Sequence, residues 1–392
     1  MNRRSLAICL ILIASSCVDR IIFDVDLPQE LPLVVSGYIS NQPGPYHVYL
    51  TSSFDTQSNV NQKTPVSAKK VTIMDEQGAT EDLTEIEPGV YQTNETNGRV
   101  GGIYTLKIEL ADGRMYESLP DTLLAPGKID SLYHVFNPEQ DYTGAINYGF
   151  DISINAQGNE KNDLRYMWSM TGTFKANTQP WRFLPGQGSC YPIPDKLNKC
   201  NYIPLCTGLR NLASRNFIPN YPIDFEVIGP CECCTCWYQV FTTSPILSDD
   251  FFTAVSDYSE LPIYRVPLNE WIFMFKIHIQ VSQATLTDNT FRFFRSIRDQ
   301  KDAIGSLFQP ISGKVPSGFV QLSGAPAPIS GIFYAAGISS NSMYITPYDV
   351  PGQIPIPVVN YEPRNNGPGQ GWVSCLELFP NATNVKPAFW ED

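Results

Sequence analysis

From residue 31 onward, apolar and polar residues alternate with a period of two, the pattern of strands with one buried face. Leu33-Val34-Val35-Ser36-Gly37-Tyr38-Ile39 and Tyr46-His47-Val48-Tyr49-Leu50 read as strands parted by the turn Asn41-Gln42-Pro43-Gly44. Val71-Thr72-Ile73-Met74, Gly89-Val90-Tyr91 and residues 103–110 continue the series. Asp112-Gly113 then marks a tight hairpin into Met115-Tyr116-Glu117-Ser118. Short strands at this spacing predict a β-sandwich over residues 31–123, and immunoglobulin-like and transthyretin-like sandwiches both fit. Residues 121–127 are the expected boundary.

Residues 128–392 continue in the same idiom. Strands are expected at 129–136, 146–154, 164–174, 237–241, 263–266, 271–281, 318–322, 331–337 and 342–346. One helix stands out at 286–303, entered through Ser282 or Thr285 and ended before Gly305. Phe291, Phe294, Ile297 and Ile304 recur at helical spacing, while Arg292, Arg295, Arg298 and Lys301 take the other face. The expected fold class is therefore all-β (mainly β): an N-terminal sandwich followed by a larger β-rich domain with one helix and a cysteine-rich loop over 180–236.

The first residues break this pattern. Arg3 and Arg4 precede the apolar run 6–13, and Ala14-Ser15-Ser16 leads to Cys17. This has the layout of an export signal, with an apolar run too short to span a bilayer as a helix. Small residues directly before a cysteine resemble a bacterial lipobox, in which the cysteine carries lipid. Ala14 stands where that motif usually has leucine. The resemblance implies a signal peptide over 1–16, lipid attachment at Cys17 and a tether over 17–30. Lipid chains contribute about 0.8 kcal/mol per buried CH₂, so more than one chain holds a globule at a membrane.

An exported chain changes how the cysteines read. Apart from Cys9 and Cys17, eight remain: Cys190, Cys200, Cys206, Cys231, Cys233, Cys234, Cys236 and Cys375. Cys231-Glu232-Cys233-Cys234-Thr235-Cys236 contains two interleaved C-x-x-C spacings, which taken alone suggest zinc. An even number of cysteines in an oxidising compartment favours disulfides, and the proline-rich loop around them has little regular structure to hold it. Eight cysteines allow 105 pairings, so connectivity is not readable. Adjacent Cys233 and Cys234 are expected to reach different partners.

Composition narrows the function classes. Hydrophobic residues make up 43% of the 392, too many for a disordered chain, and the net charge of −12 repels nucleic-acid backbones. No H-E-x-x-H, Walker-type glycine loop or G-x-S-x-G occurs, and Gly367-Pro368-Gly369-Gln370-Gly371 lacks the basic residue of a phosphate loop. His47, His134 and His278 all fall in strand patterns, and His278 reads as a packed strand residue. Asp24, Asp26, Asp249 and Asp250 are too few for a calcium cage. No catalytic, cofactor or metal residue is assigned, and the chain is expected not to be an enzyme.

Four further motifs occur in a telling order. Val34-Val35-Ser36-Gly37-Tyr38-Ile39 follows the lipobox, Cys236-Trp237 precedes a strand, Gly305-Ser306-Leu307-Phe308-Gln309-Pro310 follows the helix, and Lys386-Pro387-Ala388-Phe389-Trp390 lies near the end. Together they resemble an uncharacterised Bacteroidota lipoprotein family. Cys375 is followed by Leu378 where that family has C-x-x-C, which leaves a link back to the cysteine loop as one choice for Cys375. The resemblance implies an outer-membrane lipoprotein associated with TonB-dependent transporters, serving as an accessory or binding protein in nutrient capture; exposed aromatic residues among the 47 Phe, Tyr and Trp would suit stacking on a peptide or glycan ligand. A structural or adhesive envelope protein is the alternative. A surface hydrolase is a third reading, one that needs converging carboxylates or an activated nucleophile.

Overall fold

The computed structural model describes residues 32–52, 64–159, 165–179, 206, 208–211, 225–250, 257–303, 315, 317–359 and 374–392. The signal, Cys17, the tether, Asp24, Asp26, Cys190, Cys200, residues 305–310 and the glycine run at 367–371 lie outside them.

Alternation puts Val35, Ile39, Val48 and Leu50 on one face, all almost fully buried. They belong to β1 (Leu33–Ser40) and β2 (His47–Ser52), antiparallel with Val35 opposite Leu50. The chain goes on through β3 (Lys70–Asp75), β4 (Thr80–Asp82), β5 (Thr84–Glu87), β6 (Val90–Gln92), β7 (Ile103–Glu109) and β8 (Met115–Ser118). Ile73, Leu106, Ile108 and Tyr116 face the β1–β2 side across one core. Each aliphatic side chain buried there contributes about 1.5–3 kcal/mol.

A second core forms around β9 (Lys128–Gln140), β10 (Ile146–Gln157), β11 (Tyr166–Asn177), β12 (Thr235–Phe241), β13 (Asp257–Pro267) and β14 (Ile277–Thr285). Phe150, Ile152 and Ile154 of β10 pack against Trp168, Met170, Ile277 and Ile279. Gln283 is fully buried here, yet both ends of its amide are used. Its oxygen accepts Trp168 Nε1–H at 3.0 Å and its nitrogen donates to Gln157 O at 2.9 Å. The helix α1 (Asp288–Ala303) lays Phe291 against Leu247, Ala284 and Ala336.

Two late strands tie the cores together. β15 (Phe319–Ser323) pairs with β8, and β16 (Ile329–Ile345) runs parallel to β1 over its first half and antiparallel to β14 over its second. The sandwich read from residues 31–123 thus takes two strands from far along the chain. The resulting ten-stranded sheet has the order β12-β11-β14-β16-β1-β2-β6-β5, with two-residue strands off that path. A six-stranded sheet, β15-β8-β7-β3-β4 plus residues 121–122, covers one half, and β9-β10-β13 covers the other. The fold is mainly β, as expected.

Three local expectations are corrected. Residues 331–337 and 342–346 belong to one strand of 17 residues. The polar stretch Ser339-Ser340-Asn341 breaks the hydrophobic pattern because β16 passes there between the two cores, and Ser340 faces Ser282 at Oγ–Oγ 2.8 Å. Residues 271–276 are not strand: Asn269 Oδ1 accepts the N–H of Trp271 at 2.8 Å and starts a 3₁₀ turn over Ile272–Met274. The helix begins at Asp288, because Ser282 and Thr285 are still paired within β14.

Candidate functional site

The cysteine segment leads directly into β12, at one end of the long sheet. Cys236 is fully buried and bonded to Cys375, the first residue of α2 (Cys375–Leu378), with Cα atoms 5.8 Å apart. Cys206 bonds Cys233 and Cys231 bonds Cys234, so the two adjacent cysteines reach different partners. Backbone contacts close the knot. Cys375 N–H donates to Cys233 O at 2.8 Å, Glu232 N–H to Cys206 O at 2.7 Å and Thr178 N–H to Cys234 O at 2.7 Å. Of the two C-x-x-C spacings, Cys231–Cys234 closes on itself, while Cys233 and Cys236 are taken by Cys206 and Cys375. Among the described residues no group of three His, Cys, Asp or Glu is placed to hold a metal.

Beside this knot, the outer face of the ten-stranded sheet carries aromatic rings and lysines. Period-two alternation sets Trp237 and Lys175 opposite each other across β12 and β11, and His278 opposite Tyr344 across β14 and β16. Residues 386–392 fold across these positions. Phe389 stacks on His278 at 4.3 Å, and Trp390, 4% exposed, meets Trp237 and Tyr344 edge-on at 6.5 and 5.9 Å. Tyr344 Oη donates to Phe389 O at 2.6 Å and accepts Glu391 N–H at 3.2 Å.

Charge completes the surface. Lys276 Nζ lies 4.3 Å from the Tyr344 ring centre and 5.6 Å from that of Trp390, while Lys175 Nζ lies 4.9 Å from Phe275. Asp392 pairs with Lys386 at 2.6 Å and Lys175 at 3.5 Å. The Lys386 hydrogen bond and the two ammonium charges hold its carboxyl below the usual range. Burial pushes His278 down, favouring the neutral ring that Phe389 covers. Aromatic faces, an ammonium group and a covered histidine suit this surface to holding a ring and a carboxylate.

The other residues considered from sequence are engaged structurally. His134 stands edge-on to Phe150 at 5.2 Å and His47 stacks on Tyr49 at 6.3 Å. Asp249 pairs with Arg298 at 2.8 Å and Arg295 at 3.6 Å, so the basic helix face is partly tied to its own domain. Lys175 and Lys276 were not legible as site residues. The available signal was the place of Lys175 on the polar side of β11, opposite Trp237, and of Lys276 immediately before β14, in step with His278. The Lys-Pro-x-Phe-Trp run was visible, though not that it folds onto the sheet.

The sequence pattern of a known family, described as a domain of unknown function (DUF4249), matches residues 21–342. None of the curated proteins matches the chain.

Proposed function

The chain belongs to the DUF4249 family of domains of unknown function, and from that premise we propose that it is a lipid-anchored outer-membrane accessory protein, held through Cys17, that docks with a TonB-dependent transporter in nutrient capture. The supporting observation is the placement of its two ends along β16. Leu33, where the tether enters β1, lies opposite Ile329 at the start of β16. Ile345, at the far end, lies opposite Ile277, which is paired in turn with Phe174, two residues before Ala176 and its partner Cys236. Seventeen residues of strand at about 3.3 Å each separate the tether end from the disulfide-bonded end by about 50 Å. An anchor at Cys17 joins the described chain at the end of β16 opposite the disulfide knot and its aromatic surface, which supports a partner reaching them. Binding rather than catalysis is the reading, because His47, His134 and His278 pack against rings and Asp249 and Asp392 are ion-paired.

The test is affinity purification of the detergent-solubilised, lipidated protein from its native membrane, beside a Cys17→Ala form. A stoichiometric TonB-dependent transporter with the lipidated protein, and release of Cys17→Ala from the membrane, are the expected results. Bait alone in gentle detergent overturns the docking partner. Retention of Cys17→Ala in the membrane overturns the anchor.

A further inference from the structure

We propose that the outer-face groove formed by Trp237, Tyr344, His278, Lys175 and Lys276 is a binding site for an extended peptide bearing an aromatic side chain followed by carboxylates, and that residues 389–392 are its built-in competitor. The chemistry the groove accepts is displayed by its present occupant, Phe389-Trp390-Glu391-Asp392. One aromatic side chain is inserted between Trp237 and Tyr344, a second covers His278, and a carboxylate reaches Lys175.

That occupant is an imperfect ligand. Trp237 is 8% exposed, and its buried Nε1–H has no acceptor among the described residues. A buried donor left unpaired costs about 1–3 kcal/mol. Lys276 Nζ rests on the Tyr344 and Trp390 rings with no carboxylate in ion-pair contact among the described residues. A peptide offering an oxygen to Trp237 and an acid to Lys276 makes two interactions that the protein's own segment forgoes. Lys175 and Lys386 already hold the Asp392 carboxylate and Lys276 stands at the neighbouring rings, three ammonium groups that favour an acidic partner on a chain of net charge −12.

The segment is held in a way that permits exchange. Its ion pairs involve Asp392, whose side chain is 65% exposed, and such surface pairs contribute about 0–1 kcal/mol. One backbone bridge, Trp237 to Thr383, precedes it, and Trp390 is the one buried residue among 386–392. The groove therefore has a closed form, filled in cis, and an open form available in trans. This inference goes beyond the transporter-docking reading and is tested without any membrane or transporter.

The probe is a fluorescein-labelled peptide matching residues 386–392, titrated into the purified full chain and into full-length Trp390→Ala, with anisotropy as readout. A groove closed nine-tenths of the time or more weakens apparent affinity about tenfold. Trp390→Ala is therefore expected to bind at least about tenfold more tightly than the wild type, and Lys175→Ala in that background, which removes the ammonium that Asp392 meets, to lose part of the gain. Equal binding by wild type and Trp390→Ala, or none by a folded Trp390→Ala, overturns the proposal. Loss of the cooperative thermal transition in Trp390→Ala overturns it too, since it makes the segment part of the core.

Discussion

The Asp121 carboxylate accepts the backbone N–H of Ala335 at 2.9 Å across 214 residues of chain. β14 pairs with β16 as far as Gly337, and two residues on, the same edge of β16 has no strand left to serve. Asp121 fills that gap. It also accepts Thr290 Oγ1 at 2.9 Å and the Thr287 hydroxyl, which fixes the start of α1. The opposite edge shows the same device. β1 ends opposite Ala336, and the Asn41 side chain then accepts Ile338 N–H at 2.6 Å and donates to its carbonyl at 3.1 Å. Where the shared strand exchanges one neighbour for another, side chains stand in for backbone.

Removing this carboxylate leaves a strand N–H and two hydroxyls unserved in a buried place. Asp121→Ala is expected to lower unfolding stability by about 2–3 kcal/mol, read as a drop in the denaturant midpoint. A change within a few tenths of a kcal/mol would show the junction to be held by apolar packing alone.

The same residue has a pH signature. Burial pushes the Asp121 carboxyl up, against the opposing pull of its hydrogen bonds from Thr287, Ala335 and Thr290. The folded state therefore keeps this proton to higher pH than the unfolded chain. Its contribution is greatest below the ordinary aspartate value of 3.8 and declines as pH rises through the raised folded value. As pH rises above about 4, wild type should lose stability relative to Asp121→Asn, which does not titrate. Parallel stability curves for the two proteins would contradict this.

Gly331 has φ of +103° inside β16, and a Cβ there would sit 1.9 Å from Val35 O in β1. Both the backbone conformation and the approach of β1 require glycine. Gly331→Ala is expected to cost about 3 kcal/mol or more and to expose the β1 amides to hydrogen exchange. Unchanged protection across residues 33–40 would refute the assignment.

The disulfides should differ in weight. Cys236–Cys375 spans 139 residues and Cys231–Cys234 spans three. Loop-closure entropy assigns them about 5 and about 1.6 kcal/mol. Replacing both cysteines of the long link by serine should lower the thermal midpoint clearly more than replacing both of the short one. The reverse order would show that the short link supports local packing rather than chain entropy.

Arg265 braces the β9–β10 hairpin beyond the reach of β13. Its guanidinium contacts Asp151 at 2.6 Å, Glu139 at 3.3 Å and the carbonyls of Asn137 and Asn147 at 2.8 and 3.0 Å. Isolated two-stranded ribbons are marginal in water. Arg265→Ala should speed amide exchange over residues 137–148 about tenfold or more while leaving exchange in β14 unchanged. Equal exchange in the two proteins would mean that the hairpin needs no brace.

Period-two alternation in β1, β2 and β7, the Asp112-Gly113 turn and the helix carrying Phe291 were legible because each rests on contacts local in sequence or on one face meeting one core. The adjacency of Cys233 and Cys234 likewise favoured separate partners, because bridging neighbouring residues strains the backbone between them. What could not be read there depends on neighbours hundreds of residues away. Ser339-Ser340-Asn341 resembles a loop until β16 is seen to pass between two cores. Asp121 opens an expected domain boundary until Thr287, Thr290 and Ala335 converge on it. Lys276 is one polar residue among many until residues 386–392 return across the sheet. Local alternation determined that the chain would be β, with strands in nearly the right places. Long-range pairing decided that two sandwiches share one sheet and that their common outer face carries a groove, since contacts between distant segments leave no period in the sequence.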